Sequence, residues 1–160
     1  MLRQGGGVPS DIAQLSDLLG AVELSGQTWC YCDLGGNGGF SVPPGDATFL
    51  HAVLHGSVRI ASAAGGTIEL GAGEAVVVLS GEAHALRVSA DSPAATLDFL
   101  REEQGVDVPP DFPIGNAGPV AARVLSGRMT ATLPAGASRT ALPSFIRLGT
   151  CGEAGWGALL

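Results

Sequence analysis

Histidines and cysteines carry most of the reactive side chains in this 160-residue chain, which has three of each. His51 and His55 lie in the run TFLHAVLHG (48–56), at an even separation. That spacing puts both on one face of an extended strand with Phe49 and Val53. His84 opens a second run, in which Leu86 and Val88 share its side while Arg87 and Ser89 take the other. The apolar company places His84 on the buried face. Cys30 and Cys32 sit two apart in QTWCYCDL (27–34). Gln27, Trp29, Tyr31 and Asp33 form one face with two polar ends, which turns Cys30 and Cys32 inward. Two thiols and two imidazoles around one cavity suit zinc or another transition metal, with His51, His84, Cys30 and Cys32 as the ligands. The same side chains have plainer roles. A buried free cysteine packs as a small hydrophobe, and an inward histidine bonds a carbonyl or a bound ligand. His55, just before Gly56, has the position of a turn-edge residue.

Other chemistries find little support. Ser80-Gly81 and Gly136-Ala137-Ser138 lack the setting of a nucleophile elbow, and no Ser-His-Asp order is legible. The glycine clusters GGG (5–7) and GGNGG (35–39) lack the strand-to-helix context of a phosphate loop. Glu102-Glu103 reads as a solvated loop. No catalytic residue is assigned.

The elements that must position these residues follow from composition and period. A chain of 160 residues is one domain, and 25 glycines, 10 prolines and 5% aromatics suit short strands joined by tight turns. The formal charge of −7 and scattered arginines argue against gripping nucleic acid directly. No stretch approaches the ~20 apolar residues of a membrane span, and the N-terminus has no apolar segment of signal-peptide length. Cysteines at an i, i+2 spacing in a strand are too far apart for an easy disulfide. A reduced, cytoplasmic protein is expected.

Residues 1–9 read as a flexible tail. Ser10 or Asp11 caps a helix to about Leu19, with Ile12, Leu15, Leu18, Leu19 and Val22 as its apolar stripe. From Gln27 the period switches to two, which predicts strands at 27–34, 39–42, 47–54, 57–62, 67–70, 75–79, 84–89 and 95–100. Such spacing implies a sandwich or jelly-roll barrel. A Pro-rich loop at 106–119 precedes one or two strands within 120–133, and 141–148 is an apolar patch broken by Pro143. Residues 151–160 read as the start of a helix or linker that is cut short.

The segment from Gly73 to His84 has the spacing of the second conserved motif of the cupin barrels, with Leu79 where proline is usual. Around it stand SDLL (16–19), WCYC (29–32), FSVPPGDATFLHAVLHGSVRI (40–60), VLSGRMTATL (124–133) and LPSFIRL (142–148). In this order the chain resembles the N-terminal cupin domain of AraC-type transcriptional regulators over about residues 10–150. The resemblance implies an all-β double-stranded β-helix (jelly-roll barrel) with an N-terminal helix and a C-terminal extension. It implies a sensor and dimerisation module that binds a small effector. His51 and His84 carry over by position, and Phe49, Val53, Leu86 and Val88 would supply the apolar wall. A homodimer is expected, with DNA reached only through a helix-turn-helix domain that has no counterpart in these residues. Ser126 stands where the branch of these regulators whose domain starts with such a helix often has cysteine, and His55 where glutamate is common. The HxH-and-Glu motif of metal-dependent cupin enzymes is missing, with Phe49 near the position of that glutamate. A freestanding metallo-cupin oxidoreductase is the alternative, using His51, His84 and the two cysteines on a metal.

Overall fold

The computed structural model describes residues 22–64, 66–96, 111–139 and 142–148. The expected tail at 1–9, the helix ending near Leu19 and the segment 151–160 lie outside the described residues. Within them the protein is an all-β jelly roll of two sheets and contains no α-helix. Accordingly, no helix among the described residues is long and apolar enough to cross a membrane.

The strands, in chain order, are β1 (Glu23–Leu34), β2 (Gly39–Val42), β3 (Thr48–His55), β4 (Ser57–Ser62), β5 (Thr67–Gly71) and β6 (Ala75–Val78). They continue with β7 (His84–Arg87), β8 (Ala95–Thr96), β9 (Asp111–Ile114), β10 (Ala122–Thr132) and β11 (Ile146–Leu148). One sheet has the order β11-β6-β3-β10-β1-β9 and the other β5-β4-β7-β2-β8. The long β1/β10 ladder runs antiparallel from Glu23↔Thr132 to Leu34↔Ala122, with an irregularity between Gly26 and Thr28. Strand β1 starts four residues before its expected beginning because β10 supplies partners for 23–26. The sequence there lacks the apolar alternation that announces a strand.

Two apolar layers follow from strand alternation. Between the sheets lie Cys30, Cys32 and Leu34 from β1, Phe40 from β2, Val53 from β3, Val58 and Ile60 from β4, with Leu70, Val76, Val78, Leu86 and Val124. The opposite face of the six-stranded sheet carries a second cluster, including Leu50, Ala52, Val77, Leu79, Leu125 and Met129. Strand β6 (AVVV) is buried on both faces, which explains its unbroken β-branched run. Trp29 lies across Gly127 on the neighbouring strand, where a Cβ would collide with the indole. Gly81, at φ +74°, turns the chain into β7, and its amide-plane neighbour Gly45 donates from its N–H to the Gly81 carbonyl at 2.9 Å.

Other strands also depart from the sequence pattern. The Pro-rich 106–119 segment contains β9, an edge strand parallel to β1, where the missing N–H of Pro113 is tolerated. Strand β8 is described for Ala95–Thr96, and the rest of the expected 95–100 strand lies outside the described residues. Strand β7 stops at Arg87 because Val88 donates to the Gly38 carbonyl and a turn closes through Ser89 and Ser92.

Candidate functional site

His51 on β3 and His84 at the start of β7 belong to different sheets, and their rings meet between them. The two Nε2 atoms are 2.9 Å apart. His51 is fully enclosed and His84 nearly so. The other nitrogen of each ring is also engaged. His51 Nδ1 lies 2.8 Å from the Ser126 hydroxyl on β10, and His84 Nδ1 lies 3.1 Å from the Glu82 carbonyl. Beyond Ser126 comes the Cys32 thiol at 3.9 Å, and beyond that the Cys30 thiol, 3.8 Å from Cys32. These groups form one buried polar line, from Cys30 to the Glu82 carbonyl.

The chemistry at its ends fixes the direction of the line. A carbonyl oxygen only accepts, so His84 Nδ1 donates to Glu82. Burial holds the His84 imidazole below its ordinary pKa, although the Glu82 carbonyl and carboxyl oppose the shift. Burial, with His84 as a close neighbour, holds His51 well below the ordinary value. Both rings are therefore neutral at pH 7. A neutral His84 has only an acceptor at Nε2, so His51 Nε2 donates to it. His51 Nδ1 then accepts from the Ser126 hydroxyl, which itself accepts from the Cys32 thiol. Every ring nitrogen is satisfied, which offsets the cost of enclosing two imidazoles. The hydrogen bond to Cys32, reinforced by burial, pushes the Cys30 thiol far above its ordinary range. Its nucleophilic thiolate form is suppressed.

Aromatic rings close the sides. Phe49 stacks on His51 with ring centroids 6.1 Å apart and meets His84 edge-on at 5.6 Å, while Phe40 tilts against His51 at 5.8 Å. Ser126 Oγ–H donating to His51 has the geometry of a nucleophile and its base, yet Ser126 is completely buried and no substrate reaches it.

The sequence-based candidates separate in this arrangement. His51, His84, Cys30 and Cys32 all face the interior, but Ser126 stands between the thiols and the imidazoles. The four donors lie along a line and do not surround a common point. Among the described residues no group of three or more His, Cys, Asp or Glu side chains is arranged to hold a metal ion. Val53 and Leu86, expected in a ligand wall, are fully enclosed core residues. Phe49 and Val88 are partly buried and pack against the same core. His55 is exposed at the end of β3, as its place before Gly56 suggests.

Open space lies at the ends of β2, β4 and β7, where a cavity of 370 Å³ is lined by Ser41, Ser62, His84, Arg87, Thr96 and several alanines. His84 borders this cavity but is only 3% exposed, with its ring turned into the buried line. The sequence reading did not identify Ser126, Arg87, Ser41 or Ser62 as site residues. For Ser126 the signal was its place in the VLSGRM segment. For the others, no local pattern marks them.

Two packed antiparallel-rich sheets with polar side chains meeting between them define a jelly-roll β-sandwich protein. The chain belongs to the cupin family, whose model, described as Cupin, matches residues 14–159. Comparison with curated proteins gives no match. Among solved structures it is similar to the protein YhaK from Escherichia coli, at 16% identity and a TM-score of 0.42. The match covers 84% of this chain and 46% of that one, so the chain spans under half the length of YhaK.

Proposed function

We propose that this cupin domain is the ligand-sensing and dimerisation module of an AraC-type transcriptional regulator. A small effector occupies the cavity at the ends of β2, β4 and β7. One observation carries the reading: His84 lines the cavity and hydrogen-bonds His51 in the core, which in turn engages β10 through Ser126. A ligand in the cavity therefore lies beside β7, whose first residue anchors a polar line that crosses both sheets. Regulation requires only that the effector bind two domain arrangements with different affinity. DNA contact is assigned to a separate helix-turn-helix unit, in keeping with the acidic balance of this chain.

The test is the natural reading frame beyond Leu160. Two helix-turn-helix patterns with a basic balance are expected, and a stop at Leu160 overturns the regulator assignment. A metal-dependent enzyme would need His51, His84 and the cysteines to converge. Two nitrogens on one tetrahedral zinc stand about 3.3 Å apart, and the thiols lie behind Ser126, so these residues do not fit a four-ligand centre. Zinc binding tighter than millimolar in a titration of the purified domain would favour that alternative.

A further inference from the structure

The cavity at the ends of β2, β4 and β7 holds a guanidinium that the fold leaves with unused donors. Arg87 is its one charged side chain among the described lining residues. Arg87 Nε donates to the Ser92 carbonyl at 3.0 Å, and its remaining guanidinium N–H groups meet no acceptor among the described residues. The contrast with its neighbours is direct. Arg59 pairs with Glu69 at 3.0 Å, Arg123 with Asp33 and Asp111, and Arg147 with Glu74. Arg87 also sits directly opposite Arg59 in the β4/β7 ladder. Like charges in that position repel, and Glu69 compensates only one of them. The hydroxyl of Ser62, another lining residue, is buried and has no hydrogen-bond partner. No acidic side chain is among the described lining residues, and Ala61, Ala83 and Ala85 contribute only methyl groups.

From these observations we infer that the cavity recognises a small organic carboxylate, paired with the Arg87 guanidinium. The inference rests on the cavity being the effector site. A planar guanidinium fork matches the two oxygens of a carboxylate and cancels the charge left by the Arg59–Arg87 apposition. The alanine methyls accept an apolar body. His84 is neutral here and supplies wall, not charge.

Phenylacetate and its uncharged analogue phenylacetamide are suitable probes, titrated into the ¹⁵N-labelled chain and followed by amide chemical shifts. Phenylacetate is expected to shift Ala61, Ala83, Ala85 and Arg87 in a saturable way and to bind at least about tenfold more tightly than the amide. Arg87→Gln should weaken phenylacetate by about tenfold or more while the amide is unaffected, and Arg87→Lys should restore part of the loss. The dispersion of the same spectra reports whether each variant is folded. Equal binding of acid and amide at this cavity, unchanged by Arg87→Gln, overturns the carboxylate assignment but keeps the cavity as a ligand site. Absence of shifts at the cavity with either probe overturns both readings.

Discussion

The interior between the sheets and the cavity at the ends of β2, β4 and β7 treat polar groups in opposite ways. Inside, His51 and His84 have partners on both ring nitrogens, and Ser126 and the two thiols continue the line. At the cavity, Arg87 keeps unused donors and stands opposite Arg59 across a ladder. A satisfied polar line inside an apolar core specifies one packing, because any slip strands a donor or acceptor. Unsatisfied groups beside open space leave interactions for something else to complete. On the proposed reading the first region maintains the barrel and the second receives a ligand, with β7 contributing to both.

Removing a member of the interior line should cost most. His51→Ala leaves a void and strands both Ser126 and His84, so chemical unfolding is expected to show a loss of about 3–5 kcal/mol. A loss under about 1 kcal/mol would mean that the line has little structural weight. Ser126→Ala removes the donor to His51 Nδ1 and the weak acceptor of the Cys32 thiol, and should cost about 1–3 kcal/mol. Ser126→Cys keeps a weak donor and should cost less than the alanine variant in the same unfolding series.

Acid probes the same region without mutation. Both imidazoles bind protons less readily in the folded state than in the unfolded chain, where histidine titrates near 6.5. Their stabilisation is complete above that value and is lost as pH falls below it, because unfolding then takes up protons. The slope should approach about 1.4 kcal/mol per pH unit for His51, with a smaller addition from His84, readable from denaturation midpoints between pH 7 and 5. The slope should flatten in His51→Ala.

The cavity should respond in the other direction. Arg87→Gln relieves the apposition with Arg59 and breaks no ion pair, so stability should stay within about 0.5 kcal/mol of the parent or rise slightly. A large destabilisation measured by thermal unfolding would make Arg87 a structural residue and remove the contrast between the regions.

Much of the fold was legible because β-alternation is a local signal. The bounds of β2 and β4 match their sequence pattern, and even spacing places His51 beside Phe49 and Val53 on the inward face. The parity of Cys30 and Cys32 against Trp29 and Tyr31 turned the thiols inward in the same way. Ser126 escaped because its role depends on the β3/β10 register, which pairs it with His51 across 75 residues of chain. That pairing is set by the whole sheet. Arg87 escaped for a related reason: alternation assigns it to the solvent side, and only the neighbouring strand ends make a cavity there. Residue types suggested a metal cage, but they carry no information on whether donors surround a point or follow a line. Strand β9 was hidden by Pro113, which an edge position tolerates, within a Pro-rich segment.

The central claim is that the two imidazoles are neutral and polarised in one direction along a closed interior line. A long-range ¹H–¹⁵N correlation spectrum of the histidine side chains at pH 7 tests it most directly. The account predicts His51 carrying its proton on Nε2 and His84 carrying its proton on Nδ1, with neither ring charged. A charged imidazolium at either position, or the opposite tautomers, would contradict it.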